Sequence, residues 1–329
     1  MSSLLRKICN KNPFKDLQRF TSSFAKVKES AYRYEPGQAV LDDAHKFPAA
    51  SAEMKQDFIN NGFLIIKGLL TEKDLACLQP LLAKDAFYDK LGYFKQSDQR
   101  WGLVLWTEQG SDFLGVLAGC SKIAGIAQQL LNRGEIYMYH FKMLTKAAKE
   151  KGISSWHQDY AQWYKNELVF PDLVACNIAL TASDRTNGGT SVIKASHRCG
   201  RIEHQVTRLQ HGADEDRVAL IKQTLPAVDI DLSAGDGVFL HSNLLRCSGP
   251  NASPRDRVHL KLVYNTKANS PSIRHDYTSS VYRPLKTYPA DALAKVSKKE
   301  IEPRKWRQTE KERVALQNEG IVAYSLWDV

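Results

Sequence analysis

The chain has 329 residues, of which 43% are hydrophobic and 25% charged, a composition typical of a globular protein that excludes a disordered or fibrous chain. Because no run of 18 apolar residues occurs, we expect no membrane span. The formal net charge is +10, but residues 1–31 carry +5 and residues 295–313 carry +4, so the rest of the chain is nearly neutral. This distribution, without zinc-finger spacing, argues against a nucleic-acid partner.

The N-terminal segment and the cysteines bear on the compartment. Residues 1–31 are rich in serine and lysine, poor in acids and faintly amphipathic, as in a mitochondrial presequence, a flexible basic tail or a capping helix. The six cysteines form no C-x-x-C pair, which favours reduced thiols. We therefore expect an intracellular protein, cytoplasmic, or mitochondrial if residues 1–31 are a presequence.

The first elements predicted along the chain are helices around one buried strand. Ser51 opens an apolar-periodic segment that ends on Asn-Gly, which predicts a short helix. The β-branched run over 63–68 predicts a buried strand. Thr71 and Asp74 approximate a capping box at the start of a second helix. Residues 111–131 repeat the helical period.

From residue 135 onward the pattern changes to short strands separated by turns. Aromatic and β-branched runs bounded by Gly, Asn, Asp and Pro predict strands over 135–144, 173–181, 190–194, 227–232, 237–241 and 258–265. Many short strands after leading helices predict a mainly β fold with flanking helices, a sandwich or a barrel. A charged helix is predicted over 295–319.

The sharpest local motif is Trp156-His157-Gln158-Asp159-Tyr160. On a strand, the spacing of His157 and Asp159 points both side chains to one face. An imidazole nitrogen and a carboxylate oxygen then supply two corners of a two-His-one-carboxylate Fe(II) site, which needs one more distant histidine. Alone the motif is weak, because two polar residues near a strand edge are usually just solvated.

Other motifs follow a fixed order around this one. They are the segment 58–67, the Asn187-Gly188-Gly189 turn, Ser196-His197, Gly235-Asp236-Gly237 and the run Ser248-Gly-Pro-Asn251. Together with His157 and Asp159 they resemble the phytanoyl-CoA dioxygenase family of Fe(II)- and 2-oxoglutarate-dependent oxygenases. The resemblance runs from about Phe58 to about Leu285, and it implies a double-stranded β-helix, a cupin-like jelly roll with helices on one side.

The resemblance implies a domain organisation and an activity. We expect a basic N-terminal extension over 1–45, the double-stranded β-helix domain over 46–290 and a charged helical extension over 291–329. The implied activity is a dioxygenase that uses Fe(II), 2-oxoglutarate and O2 to hydroxylate a small organic or acyl substrate.

The resemblance also implies the roles of individual residues. His157 and Asp159 correspond to metal ligands. Arg257 corresponds to the arginine that pairs with the distal carboxylate of 2-oxoglutarate, a bidentate match of guanidinium to carboxylate. Ser248 supports the same carboxylate through its hydroxyl, and Arg255 is a weaker candidate for the arginine.

The substrate side of the pocket is less specific. Trp163 and Tyr164 correspond to substrate-facing aromatics, and ordinary packing explains them equally well. Lys142, Met143 and Lys146 fall on the strand before the motif, and aligned position alone places them along the co-substrate pocket.

One departure from the family stands at Arg246, eleven residues before Arg257, where the third ligand is a histidine. Arginine stays protonated and has no lone pair to offer a metal, and a fixed cation repels Fe(II). Three outcomes stay open: loss of metal and catalysis with a ligand-binding or regulatory role kept, iron held by His157 and Asp159 with 2-oxoglutarate and water, or replacement by His241. The odd offset of His241 along its strand argues against the third. The intact co-substrate side favours the dioxygenase over the inactive protein.

Overall fold

The computed structural model describes residues 33–34, 40–42, 47–78, 101–207, 210–275 and 279–296. The predicted presequence and nearly all of the predicted charged C-terminal helix lie outside these ranges. Within them, no helix is long and apolar enough to cross a bilayer. The five cysteines of the described ranges are free thiols.

Strands outnumber α-helices among the described residues, in agreement with the predicted mainly β fold. The strands are β1 Arg33–Tyr34, β2 Val40–Asp42, β3 Phe47–Ala49, β4 Phe63–Ile66, β5 Trp101–Trp106, β6 Ile136–Lys146, β7 Ser154–His157, β8 Leu173–Ala179, β9 Thr190–Ile193, β10 His204–Thr207, β11 Gln210–Ala213, β12 Ala227–Asp229, β13 Gly237–His241, β14 Arg246–Ser248 and β15 Arg257–Thr266. The α-helices are α1 Ala52–Asn61, α2 Glu72–Leu78, α3 Phe113–Gly119, α4 Ser121–Leu131, α5 Asp159–Trp163, α6 Glu215–Thr224 and α7 Ala292–Lys295.

Two sheets make the body of the domain. The large sheet has the strand order β1-β4-β13-β8-β15-β6-β5, and the small sheet has the order β12-β9-β14-β7. Side chains of both sheets, among them Val192 of β9 and Val263 of β15, meet in one buried apolar cluster. The sheets therefore pack face to face.

Strand β15 shows how the two faces of the large sheet differ. Leu260 and Leu262 belong to the apolar cluster that also holds the buried side chains of α3 and α4. Alternation turns Arg257, Lys261 and Val263 to the opposite face, toward the small sheet. Because Arg257 and Lys261 are both buried, charged side chains enter the interior at this end of the strand.

Local signals in the sequence fix several helix ends. The hydroxyl of Ser51 accepts from a backbone N–H of α1, and Gly62 ends that helix in the left-handed region at φ 81°. The periodic segment over 111–131 is instead split at Cys120, which has an extended backbone. The split follows from a tertiary contact, because the Ser121 N–H donates to the carbonyl of Tyr288 at 2.9 Å.

Candidate active site

His157 is the last residue of β7 and lies directly opposite Arg246 of the neighbouring strand β14. Its Nδ1 is 2.7 Å from the carbonyl oxygen of Ser155. Because a carbonyl only accepts, this contact assigns the proton to Nδ1 and the lone pair to Nε2, which lies 4.0 Å from Oδ1 of Asp159. Burial and the charge of Arg246 lower the pKa of His157 to about 3. The imidazole is therefore neutral.

The prediction that His157 and Asp159 lie on one strand is wrong for Asp159. Strand β7 ends at His157, and Asp159 is the first residue of the short helix α5. The turn is fixed by Gln158, whose side-chain amide donates to the carbonyls of Gly200 at 2.8 Å and Asn243 at 2.7 Å. The histidine and the carboxylate still share one side of the pocket.

Two cations hold the carboxylate of Asp159. Arg246 donates from Nη2 to Oδ1, and Nζ of Lys261 lies 3.1 Å from both Oδ1 and Oδ2. Asp159 is 4% exposed and Lys261 is fully buried. Burial opposes the charged form, but the charges of Arg246 and Lys261 outweigh it and hold the pKa of Asp159 well below its usual range. The carboxylate is ionised, and both of its oxygens are engaged.

This arrangement does not fit the predicted Fe(II) site. The Nε2 lone pair of His157 suits a metal, but the Asp159 oxygens are bonded to cationic donors and Arg246 offers no lone pair. A divalent ion beside Asp159 would face two fixed positive charges. Among the described residues, no group of three or more His, Cys, Asp and Glu side chains could hold a metal ion. His157 and Asp159 as metal ligands remain a prediction.

Arg257 begins β15 and is 5% exposed. Its Nη1 donates to the carbonyl of Gly188 at 2.9 Å, and within the described ranges Nε has no hydrogen-bond partner and the side chain makes no ion pair. Burial and the neighbouring charge of Arg246 lower the pKa of Arg257 to about 10, so the group stays charged at neutral pH. The weaker candidate, Arg255, is exposed.

Ser248 and Lys146 lie beside Arg257, so the predicted co-substrate residues do come together. Lys146 of β6 is the direct cross-strand neighbour of Arg257. Its Nζ donates to Oγ of Ser248 at 3.0 Å and to the carbonyl of Gly249 at 2.5 Å. Burial, followed by the charge of Arg257, lowers the pKa of Lys146 to about 6. This end of the pocket therefore combines the charge of Arg257 with several hydrogen-bond donors.

The turn over 187–189 supplies the carbonyl that Arg257 binds. Gly188 has a φ of 75°, in the region that disfavours other residues. A Cβ at Gly188 would lie 2.6 Å from the carbonyl oxygen of Gly249 and 2.7 Å from Cδ of Lys146. Glycine is therefore needed here both for its conformation and for the close approach of Lys146.

The two predicted substrate-facing aromatics separate in the structure. Trp163 is 1% exposed, and its ring lies 5.7 Å from Nζ of Lys261 and 5.4 Å from the ring of His140. Tyr164 is 50% exposed and lies under the guanidinium of Arg201 at 4.7 Å. Trp163 thus borders the centre formed by His157, Asp159, Arg246 and Lys261, whereas Tyr164 lies at the surface. Their contact with a substrate remains a prediction.

His241 packs elsewhere. Its Nδ1 accepts from the backbone N–H of Asn243, and its ring lies 5.0 Å from that of His197 and 6.2 Å from that of Phe58. These contacts agree with the expectation that His241 does not replace the third metal ligand.

Lys261 is the residue of the centre that sequence reasoning missed. The signal was present, because Lys261 is four residues after Arg257 on one strand and alternation puts both on one face. A lysine on a strand is ordinarily read as solvent-facing.

Comparison with known proteins places the chain in a family. The model of the phytanoyl-CoA dioxygenase family (PhyH) matches residues 58–259, more than half of the chain. The chain belongs to the phytanoyl-CoA dioxygenase family. L-proline trans-4-hydroxylase from Streptomyces griseoviridis is 29% identical over 206 residues, which cover 53% of this chain and 75% of that protein. Ectoine dioxygenase from Nocardia farcinica is 22% identical over 284 residues, which cover 81% and 92%.

Solved structures confirm the fold. EctD from S. alaskensis with bound Fe superposes with a TM-score of 0.63 at 20% identity, covering 77% of this chain and 91% of that chain. The carbocyclase SnoK from nogalamycin biosynthesis gives a TM-score of 0.57 at 21% identity, covering 72% and 94%. The double-stranded β-helix predicted from the sequence is therefore correct.

Family membership also confirms the predicted enzyme class. The family is one of Fe(II)- and 2-oxoglutarate-dependent dioxygenases, and the relatives named above carry hydroxylase and dioxygenase names. The predicted metal and co-substrate are those of the family. The pairing of Asp159 with Arg246 and Lys261 is the point at which the residues of this chain depart from a metal centre.

Proposed function

We propose that this protein binds 2-oxoglutarate between its two sheets, and the first candidate function is a dioxygenase that consumes 2-oxoglutarate and O2 to oxidise a small organic or acyl substrate. The observation that carries the proposal is Arg257, a buried guanidinium that makes no ion pair within the described residues. Burying a charge is costly unless the charge is paired. An anionic ligand that reaches Arg257 offsets that cost.

The distal carboxylate of 2-oxoglutarate is assigned to Arg257, Ser248 and Lys146. A guanidinium binds a carboxylate through two parallel N–H donors, and Nε of Arg257 has no competing partner in the part of the chain that the structure describes. The Ser248 hydroxyl is 3.0 Å from Nζ of Lys146, so both groups reach one ligand oxygen by small rotations. Three donors on three different strands then define one end of the pocket.

The substrate is assigned to the side bordered by Trp163. An apolar ring with a polar neighbour is a common wall for a small organic molecule. The relatives are named for L-proline and ectoine, so a small molecule is the substrate class that we assign. Tyr164, half exposed beside Arg201, is placed to contact the part of a substrate that extends toward solvent.

A second candidate function is a ligand-binding or regulatory protein that takes up the same anion without turnover. One observation favours it, namely the Asp159 carboxylate held by Arg246 and Lys261. The two candidates share the 2-oxoglutarate site and differ in metal binding and in the release of succinate.

An anaerobic Fe(II) titration with 2-oxoglutarate, followed through the metal-to-ligand charge-transfer band, separates the candidates. For a dioxygenase, the wild type gives the band and releases succinate after O2 is admitted, and Asp159→Ala abolishes both. If the wild type gives neither while Arg246→His combined with Lys261→Met gains both, the natural protein is not an oxygenase. Arg185→His, at an exposed arginine paired with Asp229, is the matched control and must behave as wild type.

Location in the cell is a separate proposal. We assign the protein to the cell interior, and residues 1–31 decide between cytoplasm and mitochondrion. A fluorescent protein fused behind residues 1–31 enters mitochondria if they form a presequence and stays diffuse if they form a basic tail.

A further inference from the structure

We propose that Arg246 and Lys261 together replace the divalent metal ion of the family, so that this centre excludes metal and holds 2-oxoglutarate through fixed protein cations alone. The inference rests on the 2-oxoglutarate binding proposed above. It goes beyond that binding because it assigns Arg246 and Lys261 to the 2-oxo end of the ligand, and because a pocket without a metal cannot carry out oxidation.

The charges of the centre balance as they would with a metal. A divalent ion beside one carboxylate gives a net formal charge of one positive unit. Arg246 and Lys261 supply one positive charge each beside Asp159, and His157 is the same imidazole in both cases, so the net is again one positive unit. An entering anion therefore meets a centre of unchanged net charge.

The positions of the two cations also match a metal position. Arg246 lies on the small sheet opposite His157, and Lys261 lies on the large sheet. From these opposite sides both side chains donate to the same atom, Oδ1 of Asp159. The nitrogen atoms of both cations therefore occupy the space beside the Asp159 oxygen that faces Nε2 of His157.

Arg246 keeps donors for a ligand after binding Asp159. A guanidinium carries five N–H donors, and the buried Nε of Arg246 has no hydrogen-bond partner among the described residues. Two residues after Arg246 on β14, and so on the same face, Ser248 is bonded to Lys146, the cross-strand neighbour of Arg257. The two arginines therefore lie along one pocket, and a dicarboxylate can place one carboxylate on each.

The replacement of a metal by Arg246 and Lys261 changes what the centre can do. The cations supply charge and hydrogen bonds, but they cannot bind O2 or change oxidation state. The inference therefore selects the second candidate, a protein that binds a 2-oxo dicarboxylate without oxidising anything.

The first test uses metal alone. Mn²⁺ is titrated into wild-type protein and into the double variant Arg246→His/Lys261→Met, and free Mn²⁺ is followed by electron paramagnetic resonance. We expect no Mn²⁺ binding by the wild type at concentrations that the double variant binds stoichiometrically. Stoichiometric Mn²⁺ binding by the wild type overturns the inference and leaves the 2-oxoglutarate site unaffected.

The second test measures 2-oxoglutarate binding calorimetrically in excess EDTA. We expect Arg246→Gln and Lys261→Gln each to weaken binding by about tenfold or more. Arg246→Lys keeps the charge and is expected to lose less than Arg246→Gln. Lys222→Gln, at an exposed lysine over the ring of Trp156, is the control and stays at the wild-type value.

The outcomes separate the two levels of the proposal. Binding in EDTA that both Gln variants weaken supports the inference, provided that circular dichroism shows the variants to be folded. Binding in EDTA that neither variant changes overturns it, as does binding that appears only when Mn²⁺ is added. If 2-oxoglutarate binds under no condition, the 2-oxoglutarate site itself is wrong and the inference falls with it.

Discussion

Arg246, partly buried, and Asp159, buried, form an ion pair between a strand of the small sheet and the first turn of the helix that follows β7. Lys261 completes the pair from the large sheet, so one carboxylate joins both sheets through two cations. In a family built around a metal at this carboxylate, the pairing means that the protein supplies its own counter-charge.

Asp159→Asn is expected to lower stability and to raise the affinity for dicarboxylates. Removing one partner of a buried ion pair costs about 3–5 kcal/mol, because the remaining charges stay buried without compensation. The same two cations then attract an incoming carboxylate more strongly, since a nearby negative charge has been removed. Urea unfolding measures the first effect and calorimetry with 2-oxoglutarate the second.

The matched control for this variant is Asp231→Asn, at an exposed aspartate, which is expected to change stability by less than about 0.5 kcal/mol. If Asp159→Asn abolishes 2-oxoglutarate binding in a folded protein, Asp159 serves a metal and the counter-charge account is wrong.

Glutarate is expected to bind moderately more weakly than 2-oxoglutarate. Where a metal binds the 2-oxo group, loss of the oxo group removes one metal bond. Against Arg246 and Lys261 the oxo group accepts a hydrogen bond from a charged donor, worth about 1.5–3 kcal/mol, so the two affinities should differ by about ten- to hundredfold. Competition between the two compounds measures the ratio, and a discrimination of about a thousandfold or more contradicts a metal-free site.

Ligand binding is expected to take up a proton at Lys146 near neutral pH. Burial and Arg257 lower the pKa of Lys146 to about 6, with Glu150 and Cys247 acting in the opposite direction. A carboxylate beside Lys146 favours the charged form and raises this pKa, so between the two pKa values the complex binds more protons than the free protein. Affinity should therefore fall as the pH rises above about 6.

Calorimetry in buffers of different ionisation enthalpy measures the number of protons that the protein takes up when the ligand binds. Lys146→Met should remove the dependence of the binding heat on the buffer while leaving a weaker site. If the wild type gave the same binding heat in all buffers, the carboxylate of the ligand would not lie beside Lys146.

Gly188→Ala is expected to damage the Arg257 end of the pocket. The variant combines a strained φ of 75° with a Cβ only 2.7 Å from Cδ of Lys146, so we expect a loss of about 1–3 kcal/mol of stability together with weaker 2-oxoglutarate binding. Gly134→Ala has a similar φ of 79° but open space around the Cβ, so it measures the strain alone. If both variants affected 2-oxoglutarate binding equally, the turn over 187–189 would not be part of the binding site.

Much of the fold was predictable because its signals are local. Ser51 and Gly62 cap α1 through their own neighbours in the chain. The apolar run over 173–181 predicts β8, a strand that is buried on both faces. The helical period over 111–131 was seen, but the break at Cys120 depends on a contact with Tyr288 far along the chain, which no local pattern contains.

Most residues of the candidate site were predictable from the sequence, but the contacts between their side chains were not. The motif around His157 and the position of Arg257 follow from the sequence, as does the substitution at Arg246. The sequence does not show that the Arg246 side chain turns onto Asp159, nor that Lys261 meets the same oxygen from the other sheet. Those contacts depend on how the two sheets pack, which is a tertiary property.

The dissociation constant of 2-oxoglutarate for the wild-type protein, measured once in excess EDTA and once with saturating Mn²⁺, tests the central claim most directly. If Arg246 and Lys261 stand in for the metal, the two constants agree within about twofold, because no ion contributes to binding. An affinity about tenfold or more higher with Mn²⁺ would show that a divalent ion enters the centre and would contradict the account.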